Sequence, residues 1–463
     1  MPDRDLIIIG AGPGGYVAAI RAAQLGLKTT VVEKDAPGGV CLNWGCIPSK
    51  NLIHQASIFH ELTEMEKVGV KVDRSSLDYA AVQAGSRVPV KTLTNGVRGL
   101  LKRNGVEYIQ GTAKITRDGE VTVDESQKLS TRNILVATGS RPMLVPGFEF
   151  DEQSILSSTG ILAMKKLPES LLVLGAGAIG CEFAYVMNSF GVKVTLIEAL
   201  DHILPTEDME VCAVLDREFR SSGIDVRVKT RVEALSRSEK GVTATLTAAD
   251  GKTETVSSEK ALVVFGRVPN SENVGLRRMG VKLGKGGYVK VGDYYQTSVP
   301  GIYAIGDLTT TPALAHVASA EGEIAVEHMA GLKPHQRSVD PCLVPSAIYC
   351  EPQVAGFGLR EDQAKAEGKP VKKSIFHLRG AGKTIAVGKP AGLVKVLCDP
   401  ETDELLGAHI VGHNATELLH ELLLARSAEL LPEDISGMIH AHPTISEALM
   451  EVMRGVNGAP IHA

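Results

Sequence analysis

A chain of 463 residues is too long for one hydrophobic core, so two to four domains are expected. With 44% hydrophobic and 22% charged residues it has an ordinary globular composition, and a net charge of −5 without any basic run argues against a nucleic-acid partner. Seven cysteines at scattered spacings do not make a secreted disulfide framework, which points to a reducing compartment and to any reactive pair being catalytic.

The N-terminus enters a strand within a few residues, with no charged-then-apolar leader. No window approaches the length of apolar run that spans a bilayer. A soluble, cytoplasmic protein is the expectation.

Leu6-Ile7-Ile8-Ile9 is a continuous apolar run, as in a strand buried on both faces of a parallel sheet. Gly10-Ala11-Gly12-Pro13-Gly14-Gly15 follows, then an amphipathic stretch from Tyr16 to Leu25, then a strand from Lys28 to Val32 ending in Glu33. This is the dinucleotide fingerprint in its required context. Gly10 makes the tight turn, Gly12 admits a pyrophosphate, Gly15 permits close helix packing, and Glu33 is placed for a ribose hydroxyl. The helix N-terminus faces the phosphates.

Next comes Gly38-Gly39-Val40-Cys41-Leu42-Asn43-Trp44-Gly45-Cys46-Ile47-Pro48-Ser49-Lys50. Two cysteines five positions apart in a regular helix are separated by about 7.5 Å of rise alone, beyond the roughly 4.4–6.8 Å between Cα atoms that a disulfide wants. If these sulfurs bond, Cys41 must lie in an irregular first turn, which Gly45 makes easier. A helix N-terminus also stabilises a thiolate. Taken alone, the pair also fits two small buried residues.

Helical stretches are expected over about Leu52 to Lys67 and Tyr79 to Asn104, and a β-rich passage over Val106 to Val136. Ala137-Thr138-Gly139-Ser140-Arg141-Pro142 is expected to be a turn leaving the first nucleotide domain. The fingerprint then recurs. Leu171 to Leu174 leads into Gly175-Ala176-Gly177-Ala178-Ile179-Gly180, a helix to about Phe190, a strand from Lys193 to Ile197, and Glu198. Gly175 and Glu198 are as far apart as Gly10 and Glu33, so one chain carries two dinucleotide sites. The cysteine pair follows the first copy, so a cofactor that trades electrons with sulfur belongs there, with hydride transfer between a flavin and a nicotinamide as the natural pairing. Glu198 favours a free ribose 2′-hydroxyl, and no arginine follows it until Arg217, so NAD is expected over NADP.

Val226 to Val256 alternates like antiparallel strands, and Gly266-Arg267-Val268-Pro269-Asn270 forms a second exit turn. An apolar strand after Thr297 ends in Gly306-Asp307, where the aspartate can bond a polyol chain or cap the helix near Ala315. From Ser346 onward, alternating segments predict an antiparallel sheet, with helices over about Asn414 to Ala425 and Ser446 to Met453 completing an α+β domain. Leu418, Leu419, Leu422, Leu423 and Leu424 exceed what a solvated helix needs, so some are expected to meet another subunit. In Ile439-His440-Ala441-His442-Pro443-Thr444-Ile445-Ser446-Glu447 the two histidines lack further ligands at metal spacing. A histidine with a glutamate across a Pro-Thr turn can be an oriented general base or a structural residue.

Together these motifs resemble the flavin-dependent pyridine nucleotide-disulfide oxidoreductases, and within them the branch that oxidises dihydrolipoyl groups. The resemblance runs from Asp5 to the C-terminus, with all the motifs in the family's order. It implies two Rossmann-like dinucleotide-binding domains and a C-terminal α+β dimerisation domain. These are an FAD domain from 1–142 and 271–345, an NAD domain from 143–270 and an interface domain from 346–463. It also implies a homodimer in which the histidine of one subunit serves the disulfide of the other. By that likeness, a lipoyl dithiol brought by another protein loses a proton to His442, oriented by Glu447. Its thiolate then attacks Cys41, the outer sulfur, and Cys46 is left as the inner thiolate against the flavin. Lys50 matches the lysine beside the flavin, in a pairing with Glu182. Ala113, Gly139, Asp307 and Ala315 join the FAD set; Val232 and Gly266 join the NAD set. The likeness fits the lipoyl-bearing components of 2-oxoacid dehydrogenase or glycine cleavage complexes as partners.

Two departures stand out: Trp44 replaces a small branched residue, and Val40 replaces a threonine. The rival readings are a glutathione- or mercuric-reductase-like enzyme using NADPH, and a non-catalytic flavoprotein scaffold. Glu198 and the absence of a cysteine after Cys398 weigh against the first, intact Cys41, Cys46 and His442 against the second.

Overall fold

The computed structural model describes residues 2–462, which fall into two compact units. The first unit comprises the chain up to Asn51, then Ala80–Met143 and Phe265–Val339. Its centre is a five-stranded parallel sheet in the order Ile302–Ala304, Thr131–Val136, Arg4–Ile9, Thr29–Glu33, Glu107–Gln110. Leu6, Ile7 and Ile8 are fully buried, as an apolar strand covered on both faces requires. Leu6 pairs with Thr29 on one side and Asn133 on the other, so the fingerprint strand lies at the middle of the sheet.

Helix Pro13–Gln24 leaves that strand with Pro13 in its first turn and Gly12 as an N-cap that offers no side-chain acceptor. The turn needs Gly10 at φ +104, and a Cβ on Gly15 would lie 1.9 Å from the Gly10 carbonyl oxygen. Only glycine allows the helix to start this close to the strand.

The predicted exit turns do not simply leave the domain. Ser140–Pro142 and Arg267–Pro269 pair antiparallel, with Thr138 Oγ1 donating to the Asn270 carbonyl (2.9 Å) and Asn270 Nδ2 donating to the Thr138 carbonyl (3.0 Å). Two segments far apart in sequence thus form one ribbon.

The second unit comprises Leu52–Tyr79, Leu144–Val264 and the chain from Asp340 onward. It repeats the parallel arrangement, in the order Asp225–Arg227, Lys193–Ile197, Ser170–Leu174, Lys260–Val263, Ile155–Leu156. A three-stranded antiparallel meander, Thr230–Ser238, Gly241–Ala248 and Thr253–Ser258, accounts for the alternation after Val226. The C-terminal sheet is antiparallel as predicted, in the order Ser346–Ile348, Gln353–Gly358, Leu405–Gly412, Leu393–Cys398, Lys372–His377.

Helices Ala415–Ser427 and Glu447–Val456 pack on that sheet. The leucines of the first of these helices divide between its two faces. Leu419 and Leu422 are buried in this unit's own core, and Leu418 and Leu423 pack against it; Leu424 alone of the five is strongly exposed. Each fully buried leucine contributes about 1.5–3 kcal/mol to that core, so the helix's hydrophobicity is mostly spent internally.

The second unit also buries a charged cluster that no local pattern announces. Lys395, 1% exposed, lies between the carboxylates of Asp208 (2.9 Å), Glu210 (2.6 Å) and Glu361 (2.6 Å). Burial opposes its charge, but hydrogen bonds to Glu210, Glu361 and Asp208 prevail and raise its proton affinity. Among the described residues, no helix is long and apolar enough to cross a membrane.

Candidate active site

The cysteine stretch is helical on both sides of one break. Gly39–Trp44 forms a short helix, Gly45 takes φ −150 and ψ −111, and Cys46 opens the helix that runs to Lys67. The irregularity expected around Cys41 therefore lies at Gly45, and the second helix starts earlier than the sequence suggested. The break brings the two sulfurs into hydrogen-bonding contact as free thiols. That hydrogen bond to Cys46, then burial and the charge on Cys46, push the Cys41 thiol far up, with Lys50 opposing. Of the two thiols, Cys41 is the one held towards its protonated form.

The two sulfurs have different neighbours. Tyr16, on the fingerprint helix, is raised first by its own burial and then by its coupling to Cys41. Arg267 is lowered first by burial, with Asp307 and Cys46 acting against that. Its Nε donates to Ser140 Oγ (2.7 Å) and its Nη2 to the Ser140 carbonyl (2.9 Å). Ser140 Oγ in turn donates to Asp307 Oδ2 at 2.5 Å. Asp307 is thus no helix cap: helix Ala315–Met329 begins after Leu314 without a side-chain cap. Ser140, Arg267, Tyr288, Asp307, Thr309 and Thr311 line a cavity of ≈ 230 Å³ in the first unit.

The two fingerprint acids behave alike. Glu33 accepts from the Ala11 amide (2.7 Å) and the Asp35 amide (2.9 Å); Glu198 accepts from the Ala176 amide (2.9 Å) and the Leu200 amide (3.0 Å). A carboxylate has about four acceptor positions, so each retains capacity for a ribose hydroxyl. Gly177 caps its helix as Gly12 does, with no side chain over the first-turn amides. A Cβ on Gly180 would lie 1.9 Å from the Gly175 carbonyl oxygen, matching Gly15 and Gly10. Arg227, on the strand beside Glu198's, is held by Asp225 and Glu254.

The other candidates are dispersed. Ala113 lies buried on strand Ala113–Ile115, Gly139 (φ +65) precedes the ribbon, and Ala315 opens its helix. Val232 sits at a bulge in strand Thr230–Ser238, and Gly266 takes φ +138. Lys50 belongs to the first unit, while Glu182 is buried in the second and accepts from the Tyr349 amide (3.1 Å). Trp44 lies under the guanidinium of Arg87, 4.7 Å from ring centroid to Cζ, and Arg87 Nη2 donates to the Asn43 carbonyl (2.5 Å). Val40 is exposed.

In the second unit, His442 Nδ1 lies 2.9 Å from Glu447 Oε1, and Glu447 Oε2 accepts from the Thr444 amide (2.9 Å). The Thr444 amide first and His442 second hold the Glu447 carboxyl below the usual range. The His442 side chain is 76% exposed, with Nε2 turned away from its glutamate partner.

Residues 4–322 match the family described as pyridine nucleotide-disulphide oxidoreductase, and residues 344–453 match that family's dimerisation domain. The chain belongs to this family. It is 41% identical to the dihydrolipoyl dehydrogenase of Bacillus subtilis over 99% of both chains. It is also 41% identical to that of Mycobacterium leprae over the full length of both, and to a mitochondrial form from Arabidopsis thaliana over 99% of this chain and 92% of the relative. Among solved structures, LpdA from Mycobacterium tuberculosis superposes with a TM-score of 0.89 at 27% identity, covering 97% of this chain and 99% of the other. The HOCl-induced flavoprotein disulfide reductase RclA from Escherichia coli shares the fold, with a TM-score of 0.86 at 24% identity over 98% of this chain and all of the other. A member of this family is an oxidoreductase with FAD and NAD as its cofactors, and the dimerisation domain supports a homodimer.

Proposed function

We propose that the chain reoxidises protein-bound dihydrolipoyl groups through the Cys41–Cys46 pair, with NAD as final acceptor. The observation that carries this reading is the thiol pair across the Gly45 break, joined by a hydrogen bond. The full-length likeness to dihydrolipoyl dehydrogenases directs it to a lipoyl dithiol.

The residues suit both cofactors. The cavity of hydroxyl groups, Arg267 and Asp307 fits a polyol and diphosphate, and the uncapped amides after Gly12 fit a phosphate. Gly10, Gly12, Gly15, Glu33, Ala113, Gly139, Asp307 and Ala315 would hold FAD. Gly175, Gly177, Gly180, Glu198 and Val232 would hold NAD, and Lys50 would stand beside the flavin. Bound FAD would supply the two-electron chemistry that links the reduced cysteines to NAD.

The chain's own residues perform the sulfur chemistry. In the oxidised enzyme a lipoyl thiolate attacks the Cys41 sulfur, forming a mixed disulfide and breaking the Cys41–Cys46 bond. Cys46 departs as a thiolate, a charge that Arg267 favours. The second lipoyl sulfur then attacks its own mixed-disulfide sulfur, closing the oxidised lipoyl ring and releasing Cys41. One substrate dithiol is oxidised and one enzyme disulfide reduced, with two protons to place. Cys41 holds one. His442 of the partner subunit takes the other at Nε2 while Glu447 fixes the ring through Nδ1. The exposure of His442 suits a group completed by a second subunit.

Purified holoenzyme is expected to oxidise dihydrolipoamide with NAD far faster than it reduces glutathione disulfide with NADPH. The reverse order would overturn the reading. His442→Ala should slow dihydrolipoamide turnover by about 10²–10⁴-fold, the usual effect of losing a positioned base.

A further inference from the structure

Two histidine–glutamate pairs share the loop between helices Pro432–Ser436 and Glu447–Val456. His442 faces outward, but the His440 side chain is 4% exposed. Its Nε2 lies 2.9 Å from Glu421 Oε1 and its Nδ1 lies 3.3 Å from the Met438 carbonyl. Both ring nitrogens are committed to oxygens of this chain, so His440 has no nitrogen left for a substrate.

Glu421 stands on helix Ala415–Ser427, whose Leu419, Leu422 and Ala425 are buried in the core of the second unit. That makes it a fixed post. The intervening Ile439 is 97% exposed, so the chain bows away from the core between Met438 and His440. Thr444 ties the far side of the loop, its hydroxyl donating to the Ala441 carbonyl (2.7 Å) and its amide to Glu447. His442 lies between these two moorings, and the near one is the His440–Glu421 contact.

We propose that Glu421 and His440 form a positioning pair that fixes where the exposed His442 ring stands relative to the dithiol it serves. This rests on the reading of His442 as the base. A displacement of about 1 Å at a reacting group can cost on the order of 10²-fold in rate. Losing the mooring is therefore expected to matter less than losing the base itself.

The test compares Glu421→Leu, His440→Asn, Glu421→Gln and His442→Ala as FAD-loaded full-length enzymes. Two activities are measured: dihydrolipoamide oxidation by NAD, and NADH-driven reduction of a one-electron dye, which needs no base at the dithiol. Glu421→Leu and His440→Asn are expected to lower kcat for dihydrolipoamide about 10- to 100-fold. KM and dye reduction should stay within about twofold. Glu421→Gln keeps an oxygen acceptor at the same reach and should recover most of the rate. If His442→Ala slows turnover while Glu421→Leu and His440→Asn do not, the positioning pair is refuted and the base reading stands. If dye reduction falls in step with dithiol oxidation, or Glu421→Gln is as slow as Glu421→Leu, the pair is not a positioning device. Full activity in His442→Ala would refute the base and this inference together.

Discussion

Substituting alanine at Gly15 or at Gly180 separates the two dinucleotide sites. At either position the new Cβ would lie 1.9 Å from a carbonyl oxygen, that of Gly10 or Gly175, whereas ordinary contact begins at 3.4 Å. The helix start must therefore retreat by about 1.5 Å, or the strand end must yield, in a closely packed site. Such overpacking costs about 1–3 kcal/mol. If that strain falls on cofactor binding, affinity drops about 5- to 150-fold, since 1.4 kcal/mol is a factor of ten. The assay is FAD binding to the apoprotein followed by flavin fluorescence, then the KM for NAD in FAD-saturated enzyme. Gly15→Ala should weaken FAD with little change in the KM for NAD, and Gly180→Ala should do the opposite. Gly26→Ala is a control: nothing lies within 4 Å of its Cβ, but its φ of +83 is unfavourable to alanine, so stability falls without loss of either cofactor. If Gly180→Ala releases FAD while Gly15→Ala retains it, the assignment of the two fingerprints is wrong.

Lys395→Met keeps side-chain volume but leaves buried Asp208 facing Glu210 and Glu361 without its cation, and should cost about 3–5 kcal/mol, read as a lower urea midpoint. An unchanged midpoint would mean the cluster stabilises nothing. Asp151 is held at about 2: burial works against its charge, but the amides of Gln153, Ile155 and Ser154 and the guanidinium of Arg237 outweigh it. Its folded value lies below the unfolded one of about 3.9, so its contribution is complete above about pH 4 and disappears as pH falls towards 2. Asp151→Asn should therefore lower the melting temperature at pH 7, with the difference shrinking at pH 3; a constant difference would contradict the linkage.

What the sequence revealed was whatever depends on short spacing. Gly10 through Glu33 and Gly175 through Glu198 each encode strand, turn, helix and acid within one local unit, and each forms as expected. Cys41 and Cys46 were visible as a pair, but the helical register on both sides of Gly45 was not, because it depends on how a single residue breaks the chain. For the five leucines from Leu418 to Leu424, composition does not say which face meets the sheet: Leu419 and Leu422 are buried, Leu418 and Leu423 pack against that core, and Leu424 stays exposed. Long-range contacts left no signal at all. Lys395 meets Asp208 across most of the second unit's sequence, and Ser140 with Arg267 orients Asp307 from three separate segments. His440 looked equivalent to His442 in sequence, yet burial and Glu421 give it a different place.

The sulfur relay is tested most directly by counting reactive cysteines through one catalytic cycle, without oxygen, by alkylation and mass spectrometry. Cys41 and Cys46 should be unreactive in the oxidised holoenzyme, both become alkylated after dihydrolipoamide is added, and both be protected again once NAD is supplied. Thiols that stay alkylatable at every stage while turnover continues would contradict it.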